Sequence, residues 1–413
     1  MLHAGPVEDM YNTTLLISPH WKTGQRSGIP ESRDGTRWSA YGRRVVTAAY
    51  ARVRDDIVRL VHQGLPVPEF SRAVGDALTR AVPAEGTCLM TLDPATMLPT
   101  AEFVENGLPA AEMLRMVEIE VREPDVNKWT HLVRADHPAA SLSAATAGDL
   151  DRSLRQREIR RPGGFADELR VVLADGTGVW GALTVFRETR RPFFSAAEVQ
   201  FVSSTAGLIA DGLRRGLLLD GAQRGADDVG LLVLDAEDEV RLSNQAADRW
   251  LDGLGAGDRA GARLPLVIPA VARQARALAD AATTTEPTQA RARARTRSGQ
   301  WLIIRGSLMG DGPDAPAAVL LEAARPAEMA PLIAAAYGFT EAERRVTELV
   351  AQGLSTKQIA GRLQMSAYTV QDHLKSVFAK SGTGSRGHLV AKLFFDHHAT
   401  ALTSGEVSAG WSA

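Results

Sequence analysis

Cysteine is almost absent from this sequence: Cys88 is the only one in 413 residues. A lone cysteine leaves the chain no internal disulfide, which fits a reducing compartment. It stands in the apolar run Cys88–Leu89–Met90–Thr91–Leu92, the setting of a small hydrophobe buried in a strand rather than of a reactive thiol. Lysine is scarce too, with six among the 47 Lys and Arg. Abundant Ala, Arg and Gly is the default of GC-rich coding, so arginine density alone carries no functional weight. Long hydrophobic runs are missing. Nothing approaches the ~18 apolar residues of a membrane span, and Leu15–Leu16–Ile17 is too short for a signal-peptide core. A cytoplasmic location with no membrane partner is expected. Net charge is small at −2, so any nucleic-acid surface must be local.

What is present is 45% hydrophobic and 23% charged residues over a length suited to two or three domains. Met1 to about Ser39 lacks periodicity and reads as a disordered arm. Ile57, Leu60, Val61 and Leu65 then recur at helical spacing, and a second helix covers Ser71–Ala81. Apolar runs at Gly86–Leu92 and Asp167–Leu173 read as strands. Leu169–Leu173, the turn Asp175–Gly176 and Gly181–Val185 form a hairpin pattern. A long helix follows from Ser195 to about Leu219. On it Val202, Ile209 and Gly216 repeat every seven residues, with Val199, Ala206 and Leu213 interleaved. That spacing suits either packing on its own sheet or a seam with a second copy.

Polar Asp220–Asp228 reads as a linker. A second α+β unit comes next, with strands at Gly230–Asp235, Val240–Leu242, Ala290–Arg297, Trp301–Ile304 and Ala317–Leu321 and a short helix at Asn244–Leu251. No repeat of fixed period is visible.

The C-terminal part carries the clearest pattern. Thr340 is placed to cap a helix with Val346, Leu349 and Val350 inward, ended by Gly353. Ser355 caps a second, with Gln358 completing a capping box. After Gln364–Met365, Ser366 caps a third, whose Val370, Leu374, Val377 and Phe378 form one stripe. At about 100° per residue, the opposite side carries Tyr368, Asp372 and Lys375, flanked by Thr369, Gln371 and Ser376. A fourth helix spans Ser385 to about Phe395. Two short helices around a tight turn, the second polar outside, fit a major groove, although an ordinary helical bundle shares the pattern. Charge favours DNA. Residues 338–398 hold eight basic and five acidic side chains, a local +3, and four of the six lysines.

Phe339–Thr340–Glu341–Ala342–Glu343, Ala351–Gln352–Gly353–Leu354–Ser355, Gln358–Ile359–Ala360, Leu363, Ser366, Thr369–Val370, His373 and Lys380 resemble the LuxR-type helix-turn-helix. The resemblance implies that the motif spans Thr356 to Lys375, with base contacts from Gln371, Asp372 and Lys375. The DNA-binding set is then Thr356, Lys357, Tyr368, Thr369, Gln371, Asp372, Lys375 and Ser376. Two departures stand out. Gln371 sits where the family often has a basic residue, and Asp372 adds a carboxylate that can accept from cytosine N4 but repels phosphate. Ser381–Gly382–Thr383 also replaces the usual apolar Leu-Gly-Val turn.

Upstream, Asp125–Val126–Asn127–Lys128, Ala140–Ser141–Leu142 with Ala145–Thr146, Phe165–Ala166–Asp167–Glu168–Leu169–Arg170 and Trp180–Gly181 resemble the GAF-like sensors of actinobacterial regulators. Gly230–Leu234 and Asn244–Gln245–Ala246–Ala247 resemble the start of a PAS domain.

Other signals weigh less. Gly176, Gly178 and Gly181 match a dinucleotide spacing, but a β-rich run follows where that motif needs a helix. There is no phosphate-binding Gly-x-x-x-x-Gly-Lys-Ser/Thr. Asp55–Asp56 lie in a helical pattern rather than at a strand end, as a phosphorylated receiver would need. Arg291, Arg293, Arg295 and Arg297 share one side of a strand, read as a solvated edge in preference to a second DNA surface. Asn244 reads as a helix cap, Trp180 as core, and His397–His398 as a polar helix end.

No Ser/His/Asp, Cys/His or metal-spaced cluster emerges, so neither an enzyme nor a cofactor is expected. The reading is multidomain: an arm over 1–40, a GAF-like domain over 41–220, a PAS-like α+β domain over 228–325, an all-α four-helix domain over 335–398 and a tail over 399–413. The expected function is transcription regulation, with a signal received upstream and an operator bound downstream. Expected partners are double-stranded DNA bearing an inverted repeat and a second copy of the chain, with RNA polymerase allowed and the small-molecule ligand left open. A phosphorylation-driven response regulator and a cofactor-binding enzyme are the competing readings.

Overall fold

The computed structural model describes residues 35–105 (side chains from Ala48), 110–219, 228–255, 264–280, 290–312 and 314–393. Helix α1 (Gly35–Gln63) begins before residue 40, where the expected arm ends. Its Val53, Ile57 and Val61 recur every four residues and are buried. Helix α2 (Val67–Ala81) opens on Pro68, where a missing N–H costs nothing. Strands β1 (Gly86–Leu92) and β2 (Pro99–Glu105) follow, then α3 (Ala110–Val121), the single turn α4 (Trp129–Leu132), β3 (Ala139–Ser141) and α5 (Leu142–Ala145).

The expected hairpin is β4 (Phe165–Asp175) and β5 (Gly178–Glu188). Asp175 Oδ1 holds its turn, accepting from the Thr177 N–H at 2.8 Å and from Trp180 Nε1 at 3.1 Å. Gly176 lies in the turn, Gly178 and Gly181 belong to β5, and no helix follows them. The sheet runs β2-β1-β5-β4-β3, antiparallel throughout.

Alternation along β4 separates two buried faces. Leu169, Val171 and Leu173 pack into the core with α6 (Ala196–Leu219). On the other side Glu168, Arg170 and Val172 are buried as well. Charges there survive burial by pairing: Arg155 bridges Asp125 at 2.7 Å and Glu168, Arg160 meets Glu168 at 3.0 Å, and Arg170 meets Glu120 at 2.9 Å. The segments 125–128 and 165–170, singled out in the sequence, therefore join in one buried ionic network.

Of the two readings of α6, packing on its own sheet accounts for the burial of the stripe within this chain. Val202, Ile209 and Leu213 are fully buried and Ala206 is 3% exposed, all within this chain's own core. At Gly212 a Cβ would fall 2.0 Å from Phe70, so only glycine lets α6 approach α2 this closely.

Beyond residues 220–227, which lie outside the described residues along with most of the expected linker, a second sheet forms. Its strands are β6 (Gly230–Leu234), β7 (Val240–Ser243), β8 (Arg291–Arg295), β9 (Trp301–Leu308) and β10 (Ala317–Ala323), in the order β7-β6-β10-β9-β8. Taken in chain order, this is the same layout as the first sheet, a structural repeat with no periodic trace in the sequence. Helices α7 (Gln245–Leu254) and α8 (Val267–Asp280) belong to this unit, and Asn244 caps α7 by accepting from the Ala247 N–H at 2.8 Å.

The arginines of β8 are a correction. Ala292 and Ala294 are fully buried, but the opposite side is no solvated edge: Arg293 is 5% exposed. Its Nε and Nη2 reach Asp93 Oδ2 and Oδ1 at 2.9 and 2.8 Å, and its backbone N–H donates to the same carboxylate at 2.8 Å. Asp93 follows β1, so this fork ties the two sheets together. Packing of α3 on α8 adds Met113 and Val117 to the second unit's core.

After α9 (Pro326–Ala336) the chain is all-α: α10 (Glu341–Ala351), α11 (Thr356–Leu363), α12 (Ala367–Ser381) and α13 (Arg386–Ala391). An α+β part followed by an all-α part is the expected multidomain layout. One apolar cluster runs from sheet one through Met329 and Ile333 of α9 to Phe339, Val346 and Val370. No helix among the described residues is long and apolar enough to cross a membrane. His397 and His398 and the expected tail lie outside the described residues.

Candidate nucleic-acid interface

Each of the three helices expected at the C-terminus starts on a side-chain cap. Thr340 Oγ1 accepts from the Glu343 N–H at 3.3 Å, and Glu343 Oε2 accepts in return from the Thr340 N–H at 2.7 Å. Ser355 and Gln358 form the same box, the Ser355 N–H donating to Gln358 Oε1 at 2.8 Å. Ser366 Oγ takes the Thr369 N–H at 3.0 Å. Gln364 adopts the left-handed conformation at φ 54°, which stops α11 and turns the chain into α12.

The stripe on α12 is buried as its spacing requires: Val370 and Val377 are fully buried and Leu374 is 6% exposed. Tyr368, Thr369, Gln371, Asp372 and Lys375 are exposed on the other side, Tyr368 at 71%. Lys375 Nζ stands 3.4 Å from Asp372 Oδ1, close enough to offset the carboxylate on that face. Lys357 on α11 is exposed too. These six exposed side chains lie on α11 and α12, the two helices joined by the turn.

Two members of the expected set are turned elsewhere. Ser376 is half-buried and its hydroxyl donates to Glu343 Oε1 at 2.6 Å. Thr356 is half-buried, and its Oγ1 accepts from Arg386 Nη2 at 2.6 Å. Arg386 also donates to the Leu354 carbonyl at 2.7 Å, fastening α13 to the start of α11.

Glu343 is the residue whose role the sequence hid. Besides capping α10, it accepts from Lys380 Nζ at 2.6 Å, and Lys380 also reaches the Gly338 carbonyl at 3.0 Å. Burial raises the Glu343 pKa, but the hydrogen bonds from Lys380, Ser376 and Thr340 outweigh it and hold the carboxyl at about 2. Its place at the third position of a capping box is visible in sequence; its partner on α12 is not. The departure at Ser381–Gly382–Thr383 is also explained. Ser381 Oγ donates to the Val377 carbonyl at 2.7 Å and lies 2.9 Å from Thr383 Oγ1, so the buried hydroxyls satisfy each other.

In the first sheet unit a cavity of about 70 Å3 lies among Met90, Met113, Trp129, Arg160, Arg170 and Phe186. That is room for a few waters only. Burial pulls Arg160 there down to about 10.

Residues 338–393 match the model of bacterial regulatory proteins of the luxR family. A Mycobacterium bovis protein named as an HTH-type transcriptional regulator is 55% identical over 51 residues, 12% of this chain and 6% of that protein. A response regulator of Synechocystis is 44% identical over 52 residues, 13% of this chain and 22% of its own length. The chain thus spans less than a quarter of either relative. Escherichia coli SdiA aligns over 83% of this chain and 95% of its own at 12% identity and a TM-score of 0.29. A GAF domain/HD domain protein from Geobacter sulfurreducens covers 38% of this chain with 99% of its own, at 18% identity and a TM-score of 0.28. At such TM-scores neither likeness carries an inference. The matched segment, its capped helices and its buried stripe agree with one another: residues 338–393 are a helix-turn-helix module of the luxR family of bacterial regulatory proteins.

Proposed function

We propose that the chain is a DNA-binding transcription regulator in which the two sheet units receive a signal and the helix-turn-helix binds an operator. One observation carries the reading: α12 buries Val370, Leu374 and Val377 while Tyr368, Gln371, Asp372 and Lys375 stand exposed beside the turn. An α-helix presenting such a face fits the major groove of B-DNA. In this assignment Lys375 and Lys357 contact phosphate, Gln371 and Asp372 read base edges, and Tyr368 and Thr369 lie at the groove wall. Thr356 and Ser376 serve as positioning residues. The expected partners are double-stranded DNA with an inverted repeat and a second copy of the chain; the proposed domain bounds are 335–398 for the DNA-binding module, after units at 41–220 and 228–325.

Lys375→Ala and Gln371→Ala separate the roles. Fluorescence-anisotropy titration against a selected operator and scrambled DNA should show Lys375→Ala weakening both. Gln371→Ala should alter preference between operators. Unchanged operator affinity in both variants, with folding intact, removes α12 from the groove.

A further inference from the structure

Arg293 and Arg295 of β8, with Arg297 just beyond it, border a cleft distinct from the small cavity in sheet one. It lies between the two sheet units and has a volume of about 600 Å3, within the range that encloses drug-sized ligands. Its wall includes the Asp93–Arg293 fork, in which the carboxylate is already spent on its own arginine. Three further guanidinium groups, those of Arg72, Arg295 and Arg297, border it against a single carboxylate, Glu102. Arg72 and Arg297 are exposed, whereas Arg295 stands 5.6 Å above the Trp301 ring and donates from Nε to the Gly299 carbonyl at 2.9 Å and from Nη1 to the Leu217 carbonyl at 3.2 Å. Phe103 and Leu332 complete the apolar part.

We propose that this cleft binds a small planar aromatic anion, its carboxylate or phosphate held by Arg72 and Arg297, with Arg295 adding positive charge to the wall, and its ring against Trp301 and Phe103. Excess positive charge between apolar walls concentrates potential on an entering anion. The guanidinium fork matches carboxylate and phosphate oxygens alike, and the arginine planes and aromatic rings favour a flat body over an aliphatic one. Leu332 belongs to α9, which packs on both α6 and α10, so the ligand touches the element leading into the helix-turn-helix. Anion binding stands apart from the DNA reading. Only its effect on operator affinity rests on it.

Isothermal titration calorimetry of the full chain tests this with salicylate and adenosine 5′-monophosphate, beside their neutral counterparts salicylamide and adenosine. At least one anion should bind at a single site, about tenfold or more tighter than its neutral counterpart. Salicylate alone marks a carboxylate ligand, adenosine monophosphate alone a phosphate. The double variant R72E/R297E should weaken that anion by about tenfold or more, with its thermal melt and its probe-free DNA affinity unchanged. Should the double variant melt early, Arg72→Gln and Arg297→Gln serve singly, each with a smaller loss. Failure of both anions to bind at millimolar concentration overturns the proposal, as does an affinity indifferent to these substitutions. A wild-type chain that binds an anion but no DNA refutes the DNA reading and leaves the cleft standing.

Discussion

Glu343 on α10 and Lys380 on α12, 37 residues apart, meet at 2.6 Å and join the first helix of the capped C-terminal set to the third. The carboxylate is almost wholly buried whereas the amine is one-third exposed. Lys380→Met should therefore destabilise the module by about 1–2 kcal/mol, discounted for the exposed end of the pair. Thermal melts of the C-terminal transition measure it, and a variant as stable as wild type would show the contact to be idle.

The same carboxylate gives stability a pH dependence. Its folded-state pKa of about 2 lies below its ordinary 4.5. The contribution is complete above pH 4.5 and fades as pH falls toward 2. Glu343→Gln should melt below wild type at neutral pH, and the gap should close across that window. A gap that stays constant down to pH 2 excludes the linkage.

Ile209→Asp distinguishes a core helix from an exchangeable seam. Ile209 is fully buried, so a carboxylate there should cost about 3 kcal/mol or more and lower the melting temperature of the sheet units. A folded variant that merely halves its sedimentation mass would restore the intermolecular seam.

Operator binding should need two copies and fall steeply with salt. With a local charge of only +3, each module neutralises about three phosphates, so a pair gives a log–log salt slope of about −5. Footprinting should protect two half-sites about one helical turn apart. A single protected site with a flat salt dependence contradicts the paired arrangement.

Local features were legible in the sequence. The caps at Thr340, Ser355 and Ser366 and the cap at Asn244 act within three residues, and the stripe on α12 follows from helix period alone. The hairpin β4–β5 announced itself through Asp175–Gly176. What escaped was long-range. Arg293 finds Asp93 200 residues away, and its alternation with alanine looked the same as that of a solvated edge. Three-residue β3 is too short to show a period. The shared strand order of the two sheets comes from hydrogen-bond pairing, which different side chains can support equally. At the candidate interface, helical geometry placed Gln371 and Lys375 outward. That Ser376 turns to Glu343 depends on a neighbouring helix, which periodicity does not describe.

The Asp93–Arg293 fork also bears on how the protein can be cut apart. Cleaving near residue 224 would strand a carboxylate on one fragment and a guanidinium on the other, and would bare the apolar contacts that Met113 and Val117 make with the second unit's core. Either fragment would tend to aggregate for want of its mate rather than report its native behaviour. Co-expressing the two halves, so that each chaperones the other, is the dissection this architecture tolerates.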